Sequence, residues 1–436
     1  MTTISEYFEQ ALLSEAAYAE GLEKNWIGGG VVGNPSQYAR ALIEKSMSET
    51  QAIAFANKYK VVDQYTDPES GFSGTVFQDT SGKIFMAIRG TEGLTALGDW
   101  STNFGDIGAD GIAIEQGIAM YNWYQRLITS VVVDGTAVAV TQYEYHKETT
   151  VWLGQGQGEE ILTPAYLEEK SVEVTKSGGL VNGAGVFDFA VTGHSLGGHL
   201  AMIMSRIAPD SATSTLTYNA PGFDANLNTF ALTSDGFFDL LRDVEGDSSR
   251  IGSEWNDGGV INTYIEGDVV SQVGDLPGAG GQQLFSENIN AGWYAAHKIE
   301  AITDALAVYN LLAQFDTNLT LDSITGILKA SSNVGEYSLE STVSSLGGLF
   351  VSGFTKRTAS KYNADRDQLY QDIKDITATI SNLPNQTIKS FCAIDAEGKY
   401  IPLSASEINT LGQSNIAYRY ALTNLNPFAV IGANYK

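Results

Sequence analysis

Val186–Ala201 reads VFDFAVTGHSLGGHLA, a strand, a sharp turn and the start of a helix. Val186–Thr192 is apolar apart from Asp188 and Thr192, as a parallel strand covered on both faces should be. Leu200-Ala201-Met202-Ile203-Met204 continues as helix, and Pro209 marks its end. Between them lies Gly193-His194-Ser195-Leu196-Gly197, an instance of G-x-S-x-G. In such a turn the serine is held in a strained conformation that lifts its hydroxyl above the sheet edge. Glycines two before and two after are needed because a Cβ there would collide with the tight backbone. The helix aims its free N–H groups and positive dipole end at the place where an oxyanion would form. With 46 glycines in 436 residues, chance alone supplies roughly 0.4 copies of the pattern. The flanking strand and helix are what give it weight.

Outward from this turn, the N-terminal side predicts helices over residues 4–22, 35–45 and 48–59, the last opened by the capping box Ser48-Glu49-Thr50-Gln51. Strands follow at 61–65, 72–78 and 83–89, the last two forming a hairpin turned at Asp79–Gly82. A long amphipathic helix fits 112–131. Residues 132–185 alternate in short segments around Gly154–Gly158 and read as a β-rich insertion. Beyond the turn, strands fit 214–219 and 260–265, with a helix over 227–243 and a polar loop over 246–259. Strands alternating with helices imply an α/β fold around a mostly parallel sheet. From about residue 301 the strands nearly vanish. Helices fit 301–315, 321–331, 338–351, 365–381 and 404–425. The expected organisation is therefore an α/β unit over 1–312 and a helical region over 313–436.

Composition narrows the function. The 51 acidic residues against 25 basic ones give a net charge of −26, which argues against nucleic acid and against docking on anionic membranes. Calcium binding is compatible with such a charge but is not indicated by any ligand pattern. Apolar content of 43% supports a sizeable core. Cys392 is the only cysteine, so no intramolecular disulfide forms. The N-terminus lacks a basic segment followed by an apolar one, and no run of 18 apolar residues occurs. The expectation is a reducing, cytoplasmic setting or export by a route independent of a signal peptide.

A serine nucleophile needs a base, and the chain has four histidines. His194 adjoins Ser195, so its ring points away from the base position. His199, four residues into the helix, reads as a packed, hydrogen-bonded histidine. His146 lies among Glu144, Lys147 and Glu148 and reads as surface. No pair has the i, i+4 spacing of a helical zinc site. That leaves His297, entering the last helix of the α/β unit, with helix capping as its bland alternative. The order serine–acid–histidine places the acid between them, past a strand end. Asp268 fits, following the strand over 260–265. Glu266, Asp275 and Asp224 compete with it. The oxyanion site should combine the Leu196 backbone N–H with a donor from the end of the strand over 83–89.

Arg89-Gly90-Thr91, then Asp99-Trp100, then Gly193–Gly198 resemble the class 3 lipase family, across roughly residues 10–310. The resemblance implies an α/β-hydrolase fold and a carboxylic ester hydrolase acting on lipids, either a triacylglycerol lipase or a phospholipase A1. It implies Thr91 as the second oxyanion donor, Asp268 in its Asp-x-Val setting as the acid and His297 as the base, with no cofactor required. The form GHSLGGHLA is similar to bacterial extracellular phospholipase A1 enzymes, many of which leave by type I secretion, although their C-terminal glycine-rich calcium repeats are absent here. A lipid substrate at an interface and a mobile lid, from 132–185 or 227–243, follow as expectations. The other readings are a non-lipid esterase and a catalytically idle module that keeps the fold.

Overall fold

The computed structural model describes residues 2–91, 112–129, 137–153, 159–174, 180–182, 185–224, 232–245, 251–255, 259–277, 281–285, 293–331, 339–381, 383, 386–425 and 427–435. A seven-stranded sheet organises them. Its strands in chain order are β1 (Tyr59–Thr66), β2 (Ser73–Asp79), β3 (Ile84–Ile88), β4 (Phe189–His194), β5 (Ala212–Tyr218), β6 (Val260–Ile265) and β7 (Gly281–Leu284). Their spatial order is β7-β6-β5-β4-β3-β2-β1. The five from β3 to β7 run parallel, and β2 is antiparallel to both its neighbours. This is the mostly parallel α/β architecture that the sequence implied.

The central strand shows why the pattern could be read. Every residue of β4 is buried. Phe189 and Val191 face one helical layer, made by α2 (Ile114–Leu127), α3 (Leu196–Ile207) and α4 (Ser234–Glu245). On the opposite face lie α1 (Ile4–Ala16) and α5 (Ile299–Phe315). Thr192, the polar exception, has its hydroxyl 2.8 Å from the Leu216 carbonyl and 2.7 Å from Ser14 Oγ on α1. A buried hydroxyl so bonded costs little.

Within residues 132–185 the described strands pair antiparallel. Val138–His146 pairs antiparallel with Tyr166–Val174, and Thr149–Trp152 with Glu159–Thr163. The first pair docks on α2 through Asn122, which bonds both the N–H and the C=O of Tyr143. The stretch Gly154–Gly158 lies outside the described residues.

The C-terminal region departs from expectation. Helices Leu321–Ser331, Leu339–Phe350 and α6 (Arg366–Ile380) are present. Two small antiparallel sheets accompany them, Thr387–Ser390 with Phe428–Ile431 and Cys392–Ile394 with Tyr400–Pro402. Strands of three or four residues carry too little alternation to register as a period. The helix expected over 404–425 is broken at Asn415, whose extended backbone ends Ala405–Ser414 and caps the next helix, Ile416–Tyr420. The expected division at 312/313 falls inside α5. No helix among the described residues is long and apolar enough to cross a membrane.

Candidate active site

The turn between β4 and α3 is strained as the sequence implied. Ser195 sits at φ 57°, ψ −130°, a region open to glycine and costly for serine. The strain is held in place from both sides. A Cβ on Gly193 would collide with the carbonyl of Gly197, and one on Gly197 would collide with the carbonyl of Ile88. Only glycines let α3 start this close to the ends of β3 and β4.

Ser195, Asp268 and His297 come together across 102 residues of sequence. His297 Nε2 lies 2.9 Å from Ser195 Oγ, and its Nδ1 lies 2.8 Å from Asp268 Oδ1. All three are buried, at 1%, 2% and 3% exposure, so water does not compete for these bonds. An acceptor carboxylate at Nδ1 requires the proton there, which leaves Nε2 free to accept the serine hydroxyl. Asp268 follows β6 after a two-residue turn. Its second oxygen accepts from Ser271 N at 2.9 Å, and Oδ1 also accepts from Val270 N at 3.3 Å. His297 ends a short helical turn, Trp293–His297, one residue before the cap of α5.

The competing acids are engaged elsewhere. Asp224 caps α4 through Ser234 N and Oγ, and Glu266 pairs with Lys329 at 3.1 Å. Asp275 pairs by its backbone with Phe223.

Thr91 lies just past β3. Its hydroxyl oxygen is buried and has no hydrogen-bond partner among the described residues, and the residue lines the cavity beside His297. A buried hydroxyl left unpaired is costly unless something else bonds it. Leu196 is the first residue of α3, so its N–H has no partner within the helix. The cavity is about 360 Å³ and is walled by Tyr18, Thr91, His194, Tyr294, His297 and Glu300, among others. Asp99 and Trp100 lie outside the described residues.

The other histidines divide as their neighbours dictate. His199 is fully buried, with Nδ1 3.1 Å from the Gly222 carbonyl and Nε2 accepting from Ala113 N at 3.3 Å. Burial pulls its pKa down to about 4, so it is a neutral, packed histidine. His194 is buried too but has specific partners that no local sequence signal marks. His146 stacks on Tyr166 and lies 2.9 Å from Glu168. Glu144, His146 and Glu168 form the one group among the described residues whose donor atoms could converge on a metal ion. It shares no residue with the constellation around Ser195.

The helix α4 does not present an apolar face outward. Phe237, Phe238 and Leu241 are fully buried, with Phe237 against Gly117 of α2 and Phe238 against Trp255. Core packing, the alternative to an interfacial lid for this segment, is what its described part shows. Residues 227–231 of it lie outside the described residues.

This α/β fold, with a serine, a histidine and an acid hydrogen-bonded in line, defines a class of site able to perform acyl transfer. Among solved structures the chain is similar to the native Rhizomucor miehei lipase propeptide complex, at 15% identity and a TM-score of 0.26 over 65% of this chain and 68% of that one. It is similar to the lipase from Rhizopus microsporus var. chinensis, at 13% identity and 0.26 over 65% and 75%. A triacylglycerol lipase from Penicillium expansum matches at 13% identity and 0.26 over 68% and 84%. No family model matches the chain, and no curated protein matches it.

Proposed function

We propose that the protein is a serine carboxylic ester hydrolase acting on lipids, as a triacylglycerol lipase or phospholipase A1. One observation carries the reading: the unbroken hydrogen-bonded run Asp268–His297–Ser195, ending at a serine on a strained backbone. Ser195 Oγ attacks the ester carbonyl while His297 Nε2 takes its proton. The tetrahedral oxyanion is met by the Leu196 N–H and by Thr91. His297 then returns the proton to the leaving alcohol. Water, activated by the same nitrogen, attacks the acyl-enzyme and releases the acid. Asp268 orients the imidazole and stabilises the imidazolium. Each oxyanion donor is worth about 3 kcal/mol of barrier. No metal or cofactor is needed for these steps. Lipid as the substrate class is supported by the resemblance of the Arg89-Gly90-Thr91 and Gly193–Gly198 motifs.

The test joins labelling to product analysis. A fluorophosphonate should modify Ser195 alone, and Ser195→Ala and His297→Ala should abolish both labelling and turnover. Asp268→Asn should lose less than Ser195→Ala, by about 10-fold or more. Modification elsewhere sinks the mechanism. A phospholipid labelled differently at its two acyl positions, run beside a triacylglycerol and a short soluble ester, tests the substrate class. Turnover of the soluble ester alone removes lipid from the reading.

A further inference from the structure

His194 is bonded on both sides of its ring, and neither bond is to Ser195. Its Nε2 lies 2.6 Å from the backbone carbonyl oxygen of His297, and its Nδ1 lies 2.8 Å from Tyr18 Oη. A carbonyl only accepts, so Nε2 carries the proton. In the neutral ring Nδ1 is then bare and accepts from the Tyr18 hydroxyl. Burial keeps this ring neutral, pulling its pKa down to about 3, with the neighbouring His297 adding to the effect. The two imidazoles stand 5.0 Å apart, centroid to centroid.

The same carbonyl has a second donor. Asn219, at the end of β5, gives its side-chain N–H to the His297 carbonyl at 3.1 Å and to the Ala296 carbonyl at 2.9 Å. Its oxygen accepts from Ile265 N at 3.1 Å, the last residue of the strand that delivers Asp268. Asn219 is fully buried and left-handed, at φ 47°, a conformation asparagine tolerates better than most residues. One side chain thus ties the acid's strand to the base's loop, and a second ties the nucleophile's own turn to that loop. Such ties matter because a displacement of about 1 Å can cost 10²-fold in rate.

We propose that His194, with its tautomer set by Tyr18, and Asn219 form a clamp on the main chain of His297, acting as positioning residues that hold the base in register with Ser195. The proposal rests on the acyl-transfer reading above. It adds that the variable residue of this G-x-S-x-G is itself part of the machinery, acting through another residue.

Three variants and one spectrum test it. His194→Leu removes the donor and should lower kcat per fluorophosphonate-titrated site by about 10- to 100-fold with KM nearly unchanged. His194→Gln, which keeps an N–H donor near Nε2, should recover to within about 5-fold of wild type. Counting only titratable sites removes any misfolded fraction. Ring 15N spectra of the histidine-labelled wild type should show His194 as the Nε2–H tautomer near neutral pH. Tyr18→Phe should release it into a mixture with the Nδ1–H form. Wild-type kcat in titrated His194→Leu, or an Nδ1–H tautomer in the wild type, overturns the clamp and leaves the proposed function standing. Should the wild type neither hydrolyse esters nor take the label, the function falls, and the tautomer measurement still decides the geometry.

Discussion

Burial sets the state of single residues here, and His199 shows it most simply. In the unfolded chain this imidazole takes up a proton near pH 6.5, and in the folded chain not until about pH 4. Between those values the unfolded state binds more protons, so stability is complete above 6.5 and falls as pH drops toward 4. His194, pulled to about 3 by its burial, acts with the same sign over a slightly longer window. Melting temperature should therefore decline through this range. His199→Gln should decline less steeply, whatever its absolute stability, because one of the two groups has been removed. Identical slopes for variant and wild type would show that His199 is charged or exposed in the folded protein. The packed character of His199 was legible from its place four residues into an apolar helix. The partners of His194 were not. Tyr18 is 176 residues upstream and the His297 carbonyl 103 downstream, and local sequence holds no trace of either.

At the scale of elements, propensity and packing make opposite predictions about the same glycine. Gly197 lies in the first turn of α3, where alanine is favoured by about 1 kcal/mol on helix propensity alone. Yet its Cβ would meet the backbone carbonyls of Ile88 and Arg89 at the end of β3, atoms that cannot rotate away. Overpacking of this kind costs about 1–3 kcal/mol, occasionally more, and packing wins. Gly197→Ala should lower the melting temperature. It should also slow turnover, because pushing β3 outward moves Thr91 away from Ser195. A higher melting temperature with wild-type turnover would mean that the added Cβ finds room between the helix and strand ends. The legible elements were those with long periods or sharp punctuation, such as β4, α3 and the hairpin of β2 and β3. The edge strand β7, Gly281-Gln282-Gln283-Leu284, was illegible for a physical reason. Its place is fixed by register with β6, and its sequence has no alternation to show.

Across the whole molecule, one buried cluster spans the boundary expected between an α/β unit and a helical region. That cluster joins α1 and the strand residues Leu216, Tyr218 and Ile265 to Leu339, Val343, Leu369 and Phe428 of the C-terminal region. The sequence marked the change from strands to helices near residue 301 but held no sign of this sharing, because the contacts cross hundreds of residues. The tie is polar as well. Arg366, on α6, donates to Glu15 of α1 at 2.7 Å, to Asp304 of α5 at 2.8 Å and to the Ser46 carbonyl at 2.8 Å. Tyr370, one turn on, also donates to Asp304, at 2.7 Å. Glu15 is buried, and α1 is the helix that braces β4 through Ser14 and Thr192. The C-terminal region therefore reaches the strand leading into Ser195 through a single intervening helix. Removing the cation leaves the buried Glu15 and the partly buried Asp304 without a counter-charge, held only by the Ser46 and Tyr370 hydroxyls, a change that costs up to about 3–5 kcal/mol. Arg366→Met keeps most of the side-chain volume, so a loss of that size in urea unfolding is attributable to charge. The partner variant Glu15→Gln with Arg366→Met removes one stranded carboxylate and should recover part of the loss. If Arg366→Met unfolds at the wild-type urea midpoint, the helical region is an accessory to the α/β unit and not a structural part of it.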